Sequence, residues 1–233
     1  MNELKPPVVL AFDVFGTVVD WYGSIRQEIE QALPDVNADE FTLAWRDGYA
    51  PALRAANASN QWISLDVLHR QILDSLLDEF ARSDISESTR QSLTRGWHRL
   101  APWPDTIAGM KRLKERFTLC SLSNGNIGLL TNMAKNAGIP WDCVLSAEVF
   151  KRYKPDPQVY QGVAEIFNLQ PEQVMLVAAH QDDLNAAAAC GLQTAFIERI
   201  DEYGPVRGND VSGSKSNNWH AADFNHLAKL LGC

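Results

Sequence analysis

Short apolar runs separated by stretches of helical spacing are the feature that most limits the folds open to this chain. "PPVVLAF" (residues 6–12), "FTLCSLSNGN" (117–126), "CVLSAEVF" (143–150), "VMLVAAHQDD" (174–183) and "TAFIE" (194–198) read as strands. An unbroken apolar run of this length suits a parallel strand covered on both faces. Between the runs, Ile107, Met110 and Leu113 share one helical face, and residues 127–137 form a helix closed by Gly138 and Pro140. "DPQVYQGVAEIF" opens on Asp156 as N-cap and Pro157 in the first turn, with Val159, Val163, Ile166 and Phe167 as its apolar face. "DDLNAAAACG" begins with acids suited to a helix N-terminus and stops at Gly191. This alternation predicts an α/β fold: a doubly wound, Rossmann-like parallel sheet with its site at the carboxyl ends of the strands.

Residues 19–100 break the alternation. Ile25, Ile29 and Leu33, then Phe41, Trp45, Tyr49 and Leu53, then Leu65, Leu68, Ile72 and Leu76, and finally Leu93, Trp97 and Leu100 mark four successive helices with no convincing strand. The expected organisation is a catalytic core of residues 1–18 and 101–233 with a helical cap domain, residues 19–100, inserted behind the first strand. A module inserted there covers the active face and shields it from water. "APWPDT" (101–106) reads as the return hinge, and "GNDVSGSKSNN" (208–218) as a mobile surface loop before a last short helix, "ADFNHLAKLL".

Composition removes several classes of function. A net charge of −8 over 233 residues opposes broad attraction to nucleic acid or an anionic membrane, so an anionic ligand has to be held by local cations. No apolar run approaches a membrane span, and "MNELKPPVVL" has no hydrophobic signal core, which makes a cytoplasmic protein the expectation. Cys120, Cys143, Cys190 and Cys233 have neither CxxC nor zinc-type spacing and read as structural thiols in a reducing compartment.

Asp13 ends the first apolar run, in "FDVFGT". A strand-end acid commonly caps a local turn; here Thr17, Ser123 and Asn124 in "LSNGN", Lys154 in "YKPDPQVY", and Asp183 stand at matching strand ends. With these motifs in this order around a helical insertion, the chain resembles the haloacid dehalogenase superfamily and, within it, the L-2-haloacid dehalogenases, over nearly its whole length.

Two departures from the superfamily's phosphatases are informative. Those enzymes use DxD in the first motif, its second acid protonating the leaving group, and GDxxxD in the fourth, both acids helping to bind magnesium. Here Phe15 and Ala179 stand at the second and first of those acid positions. A phosphate leaving group would lack its proton donor and a cation would lose a carboxylate, which points to chemistry without a metal or other cofactor.

The resemblance implies roles position by position. Asp13 is the nucleophile, displacing halide from C2 of a small anionic 2-haloacid to give an aspartyl ester that water hydrolyses to a 2-hydroxy acid. Lys154 keeps Asp13 ionised. Ser123 and Asn124, with Thr17, hold the substrate carboxylate and position the nucleophile. Arg46 receives the halide, Tyr160 lies near the substrate, and Asp183 pairs with the lysine or prepares the hydrolytic water. His180 departs from the family, which carries Asn there. It can donate to halide, help activate water or fill space. Asp182 replaces a bulky aromatic. The family implies a homodimer, for which Trp21, Trp62 and Trp97 offer either a dimer face or core packing. Competing functions are an Asp-nucleophile hydrolase opening a strained cyclic amino acid, a magnesium-dependent phosphatase, and a non-enzymatic dimeric binding protein.

Overall fold

A computed structural model describes residues 6–59 and 61–233; the first five residues, part of the stretch read as lacking a targeting signal, lie outside it. Along the chain, strand β1 (Val9–Phe12) is followed by the two-residue β2 (Val19–Asp20) and the helices α1 (Trp21–Ala32), α2 (Ala38–Ser59), α3 (Leu65–Glu79) and α4 (Glu87–Gly96). Strand β3 (Ala101–Pro102) leads to α5 (Thr106–Lys114), β4 (Thr118–Ser123), α6 (Ile127–Ala137), β5 (Cys143–Ser146), α7 (Ala147–Phe150) and α8 (Pro157–Ile166). Then come β6 (Val174–Ala178), α9 (Gln181–Ala189), β7 (Gln193–Ile197), β8 (Trp219–Ala221) and α10 (Phe224–Leu230).

The sheet runs β5-β4-β1-β6-β7-β8 with every pairing parallel, which is the doubly wound α/β architecture expected. All four residues of β1 are buried, as are all five of β6, because helices cover both faces. In register, Phe12 faces Ser121 on one side and Val177 on the other, so Asp13 emerges between the ends of β4 and β6. The chain order reverses about β1, which opens a crevice at exactly these carboxyl ends.

Three expectations need correction, and one strand has no counterpart in the sequence reading. "CVLSAEVF" is a strand only to Ser146: the Ser146 hydroxyl accepts from the N–H of Glu148 at 3.0 Å and starts helix α7. The region read as helical opens on β2, which pairs antiparallel with β3, so the outgoing and returning chains are hydrogen-bonded neighbours. Ile166 sits in the last turn of α8 and is 46% exposed, so the buried stripe of that helix ends at Val163 and Ala164. Strand β8, too short and too polar to show a period, was missed altogether.

Residues 208–218 run over the surface, where the Gln181 side-chain carbonyl accepts from the Ser214 N–H and the Asn217 amide, both at 2.8 Å. Trp21 and Trp97 belong to the core, their rings stacked 6.5 Å apart, and so furnish no dimer face. Trp62 is half-buried and stacks on Tyr153 at 4.6 Å. No helix among the described residues is long and apolar enough to cross a membrane.

Candidate active site

β1 ends at Phe12, and its last peptide passes straight into the site: the Asp13 N–H still bonds Val177 O at 3.0 Å, which fixes the backbone from which the carboxylate projects. The next turn returns Thr17 to the same carboxylate. Its hydroxyl donates to Asp13 Oδ2 at 2.8 Å and accepts from the Ala179 N–H at 2.9 Å, tying the first strand's loop to the end of β6.

Lys154 reaches in from the loop before α8. Its ammonium lies 3.2 Å from Asp13 Oδ1 and 2.6 Å from Asp183 Oδ2. The Lys154 N–H donates to Asn124 Oδ1 at 2.8 Å, so the residue just past β4 holds the lysine's backbone. Tyr160, fully buried on α8, donates its hydroxyl to Asp183 Oδ1 at 2.6 Å.

His180, the N-cap residue of α9, has its Nδ1 3.1 Å from Asp13 Oδ2 and its Nε2 2.8 and 3.0 Å from the two oxygens of Glu202. Glu202 follows β7 and was not singled out from the sequence. No local pattern marks it: it lies in a turn several residues past Ile197, the last residue of β7.

These charges set one another. Burial by itself would raise the Asp13 pKa, but Lys154, His180 and Thr17 outweigh it and hold the carboxyl well below its usual range. Burial disfavours the imidazolium of His180, yet Glu202 and Asp13 push its pKa well above 6.5. Lys154 is likewise raised, burial being overcome by Asp13 and Asp183. Asp183 moves up through burial and the neighbouring Asp13 charge, against the pull of Lys154. Asp13 is thus held as an ionised carboxylate, with the Lys154 ammonium on one oxygen and, on the other, an imidazole that Asp13 and Glu202 draw toward its protonated form.

A cavity of about 680 Å³ opens onto this cluster between the strand ends and α2, and Asp13, Arg46, Lys154 and His180 line it. Arg46 projects from α2 with its guanidinium 4.4 Å from the Tyr49 ring centre and 5.2 Å from that of Trp21. Its Nη1 is buried without a hydrogen-bond partner. Phe15 presents an aromatic edge to the helices, 5.9 Å from Trp97 and 6.5 Å from Tyr49.

The family profile for haloacid dehalogenase-like hydrolases matches residues 8–191. The chain belongs to that family. Among solved structures it is similar to an L-2-haloacid dehalogenase with 44% identity and a TM-score of 0.92, the match covering 97% of this chain and 100% of that one. It is also similar to a defluorinating L-2-haloacid dehalogenase, with 40% identity, a TM-score of 0.94, and 97% and 96% of the two chains covered. Among curated proteins, (S)-2-haloacid dehalogenase 1 of Pseudomonas sp. (strain CBS-3) is 28% identical over 207 residues, 85% of this chain and 88% of that protein.

Within this haloacid dehalogenase-like chain, the fold brings nine of the ten residues singled out from sequence to one cluster or its cavity. Ser123 stands apart. It is fully buried, and its hydroxyl accepts from the Gly125 N–H at 3.2 Å, which shapes the turn carrying Asn124. The residues do not fit the magnesium of the superfamily's phosphatases: the charge between Asp13 and Asp183 is the Lys154 ammonium, and Phe15 places a ring among aromatics where the second acid would stand. Among the described residues no group of three or more His, Cys, Asp or Glu is arranged to hold a metal. Tyr49 and Tyr203, which also line the cavity, were read from sequence as packing or not at all.

Proposed function

We propose that this protein hydrolyses short 2-haloalkanoic acids to 2-hydroxy acids through an ester on Asp13. The observation that carries the reading is the ionised Asp13 carboxylate, held by Lys154 on one oxygen and by Thr17 and His180 on the other, at the foot of a cavity that Arg46 also lines.

Substrate enters as an anion and meets Lys154 and Arg46, which offset the protein's acidic balance locally. Asp13 attacks C2 from the side opposite the halogen. The C–O bond forms as the carbon–halogen bond breaks, and the halogen keeps the electron pair. Halide leaves as a stable anion, so Phe15 suffices where a phosphatase places an acid. Arg46, with a buried N–H free to donate, receives it. Water then attacks the carboxyl carbon of Asp13, releasing the 2-hydroxy acid and restoring the carboxylate.

In this reading residues 1–18 and 101–233 are the catalytic core and residues 19–100 the cap. Support comes from β2 and β3, which pair where the chain leaves and returns, and from Arg46 on α2 facing the strand ends. The protein works as a homodimer in the cytoplasm; the family resemblance supports the first and four unpaired cysteines the second.

The test is halide release from each enantiomer of 2-chloropropionate, beside phosphate release from a generic ester, with magnesium or chelator. Halide release indifferent to chelation is expected. Magnesium-dependent phosphate release alone would sink the proposal, and inertness in both assays would favour the ring-opening hydrolase.

A further inference from the structure

The geometry points to a division of labour inside this site: His180 drives hydrolysis of the Asp13 ester, and Glu202 is the positioning residue that aligns it. The inference deepens the dehalogenase reading and rests on it.

Asp13, His180 and Glu202 form a continuous chain of carboxylate, imidazole and carboxylate, with contacts of 3.1 Å on one side of the ring and 2.8 and 3.0 Å on the other. Glu202 is 0% exposed, and burying a carboxylate is costly unless its oxygens are matched. Here each is. Oε1 accepts from Trp21 Nε1 at 3.1 Å, Oε2 from the Asn209 amide at 3.2 Å, and both face His180. Gly16 completes the seat: its φ of +86° favours glycine, and a methyl group there would overlap Glu202 Oε1. The fold therefore builds a fixed place for one carboxylate whose outlet to the cavity is the imidazole.

Asp183 is less suited to take a proton from water. Its two oxygens are committed to Lys154 and Tyr160, both at 2.6 Å. The departing halide is no better a partner for His180: it leaves from the face of C2 remote from Asp13, whereas His180 bonds the attacking carboxylate itself. What lies within reach of Nδ1 is the Asp13 carboxyl group, and the ring borders the cavity from which water arrives.

The proton account closes. In the resting enzyme the imidazolium donates Nδ1–H to Asp13 and Nε2–H to Glu202. Displacement of halide turns Asp13 into a neutral ester, so His180 loses one of its two anionic partners and gives up the Nδ1 proton to solvent. That proton and the halide are the acid released by the reaction. Neutral Nδ1 then accepts a proton from water as the water oxygen bonds to the carboxyl carbon, Glu202 meanwhile holding Nε2–H. The tetrahedral adduct breaks its bond to the product oxygen, which takes the proton from Nδ1 and leaves as the 2-hydroxy acid. Asp13, reborn as the neutral acid, returns its own proton to Nδ1, and the resting pair is restored.

The test follows the first turnover of Glu202→Gln and His180→Asn with 2-chloropropionate, reading chloride, 2-hydroxy acid and intact protein mass. Hydrolysis should slow roughly 10²-fold, the low end for a lost general base, while the first equivalent of chloride is affected far less. Protein carrying the substrate's carbon skeleton on the Asp13 peptide should accumulate, and Glu202→Asp should recover part of the hydrolysis rate. Chloride and product slowing together, with no ester on Asp13, overturns the assignment, as does unchanged turnover in both variants. If Glu202→Gln fails to fold, His180→Asn carries the same two outcomes. A wild-type protein that releases no chloride refutes the dehalogenase reading instead.

Discussion

Lys154 stands 3.2 Å from Asp13 with both side chains almost closed to solvent, so each charge helps to hold the other in a place that would otherwise disfavour it. Replacing Lys154 with Met leaves Asp13 buried beside Asp183 without the intervening cation. Its pKa should then rise, and the protein should lose about 3–5 kcal/mol of stability, the usual result of breaking a buried pair. Urea denaturation checks the stability, and halide release at several pH values checks the loss of ionised nucleophile.

Asp13→Asn keeps the shape of the side chain and removes the nucleophile. Halide release should fall to background with the far-ultraviolet circular dichroism unchanged. Full activity in this variant would exclude Asp13 as the attacking group.

Phe15→Asp would write the phosphatase motif back into the first loop. Phe15 is 3% exposed and packs edge-on to Trp97, His69 and Tyr49. A carboxylate among those rings has no partner, and the variant should lose about 3–5 kcal/mol, as large core truncations do, without gaining phosphate release. Thermal melting and a phosphate assay measure both.

Arg46→Lys keeps the positive charge but loses the planar fork seated against Tyr49 and Trp21. If the unpaired Nη1 receives halide, inhibition by added bromide should weaken by about tenfold, equivalent to ~1.4 kcal/mol, more than KM changes. Inhibition kinetics decide it.

His180 and Asp13 set opposite limits on stability with pH. The raised His180 pKa contributes stability that is complete below pH 6.5 and is lost as pH climbs through the higher folded value. The lowered Asp13 pKa contributes stability present above pH 3.8 and lost as pH falls through the depressed value. Urea midpoints measured between about pH 5 and about pH 10 should decline on the alkaline side in the wild type and be flatter in His180→Asn, where Asp13 and Glu202 no longer face a titrating ring. Parallel curves would refute the link.

Much of the site was legible because its residues sit at strand ends, where a short apolar run stops and a polar residue follows. Asp13 and Asn124 needed only that punctuation, Lys154 the Pro-Asp-Pro turn beside it, and Asp183 its place in the first turn of the helix after β6. Tyr160 was ambiguous because a buried helix residue and one that bonds an acid of the site have the same spacing; in the structure it is both. Ser123 misled for a related reason. Its neighbour Asn124 lines the cavity, but alternation along β4 turns the serine hydroxyl back toward its own turn.

The sequence by itself determined the doubly wound core, the run of helices after its first strand and the acid that ends that strand, since these follow from local periodicity and from where the apolar runs stop. Tertiary structure alone decided what surrounds that carboxylate. Glu202 lies 22 residues from His180 and 181 from Trp21, and no local pattern marks a carboxylate that is stable only where an imidazole, an indole and a glycine from distant loops meet it. Long-range partners fix the charge of a buried group, and the residues beside His180 in the chain do not reveal them.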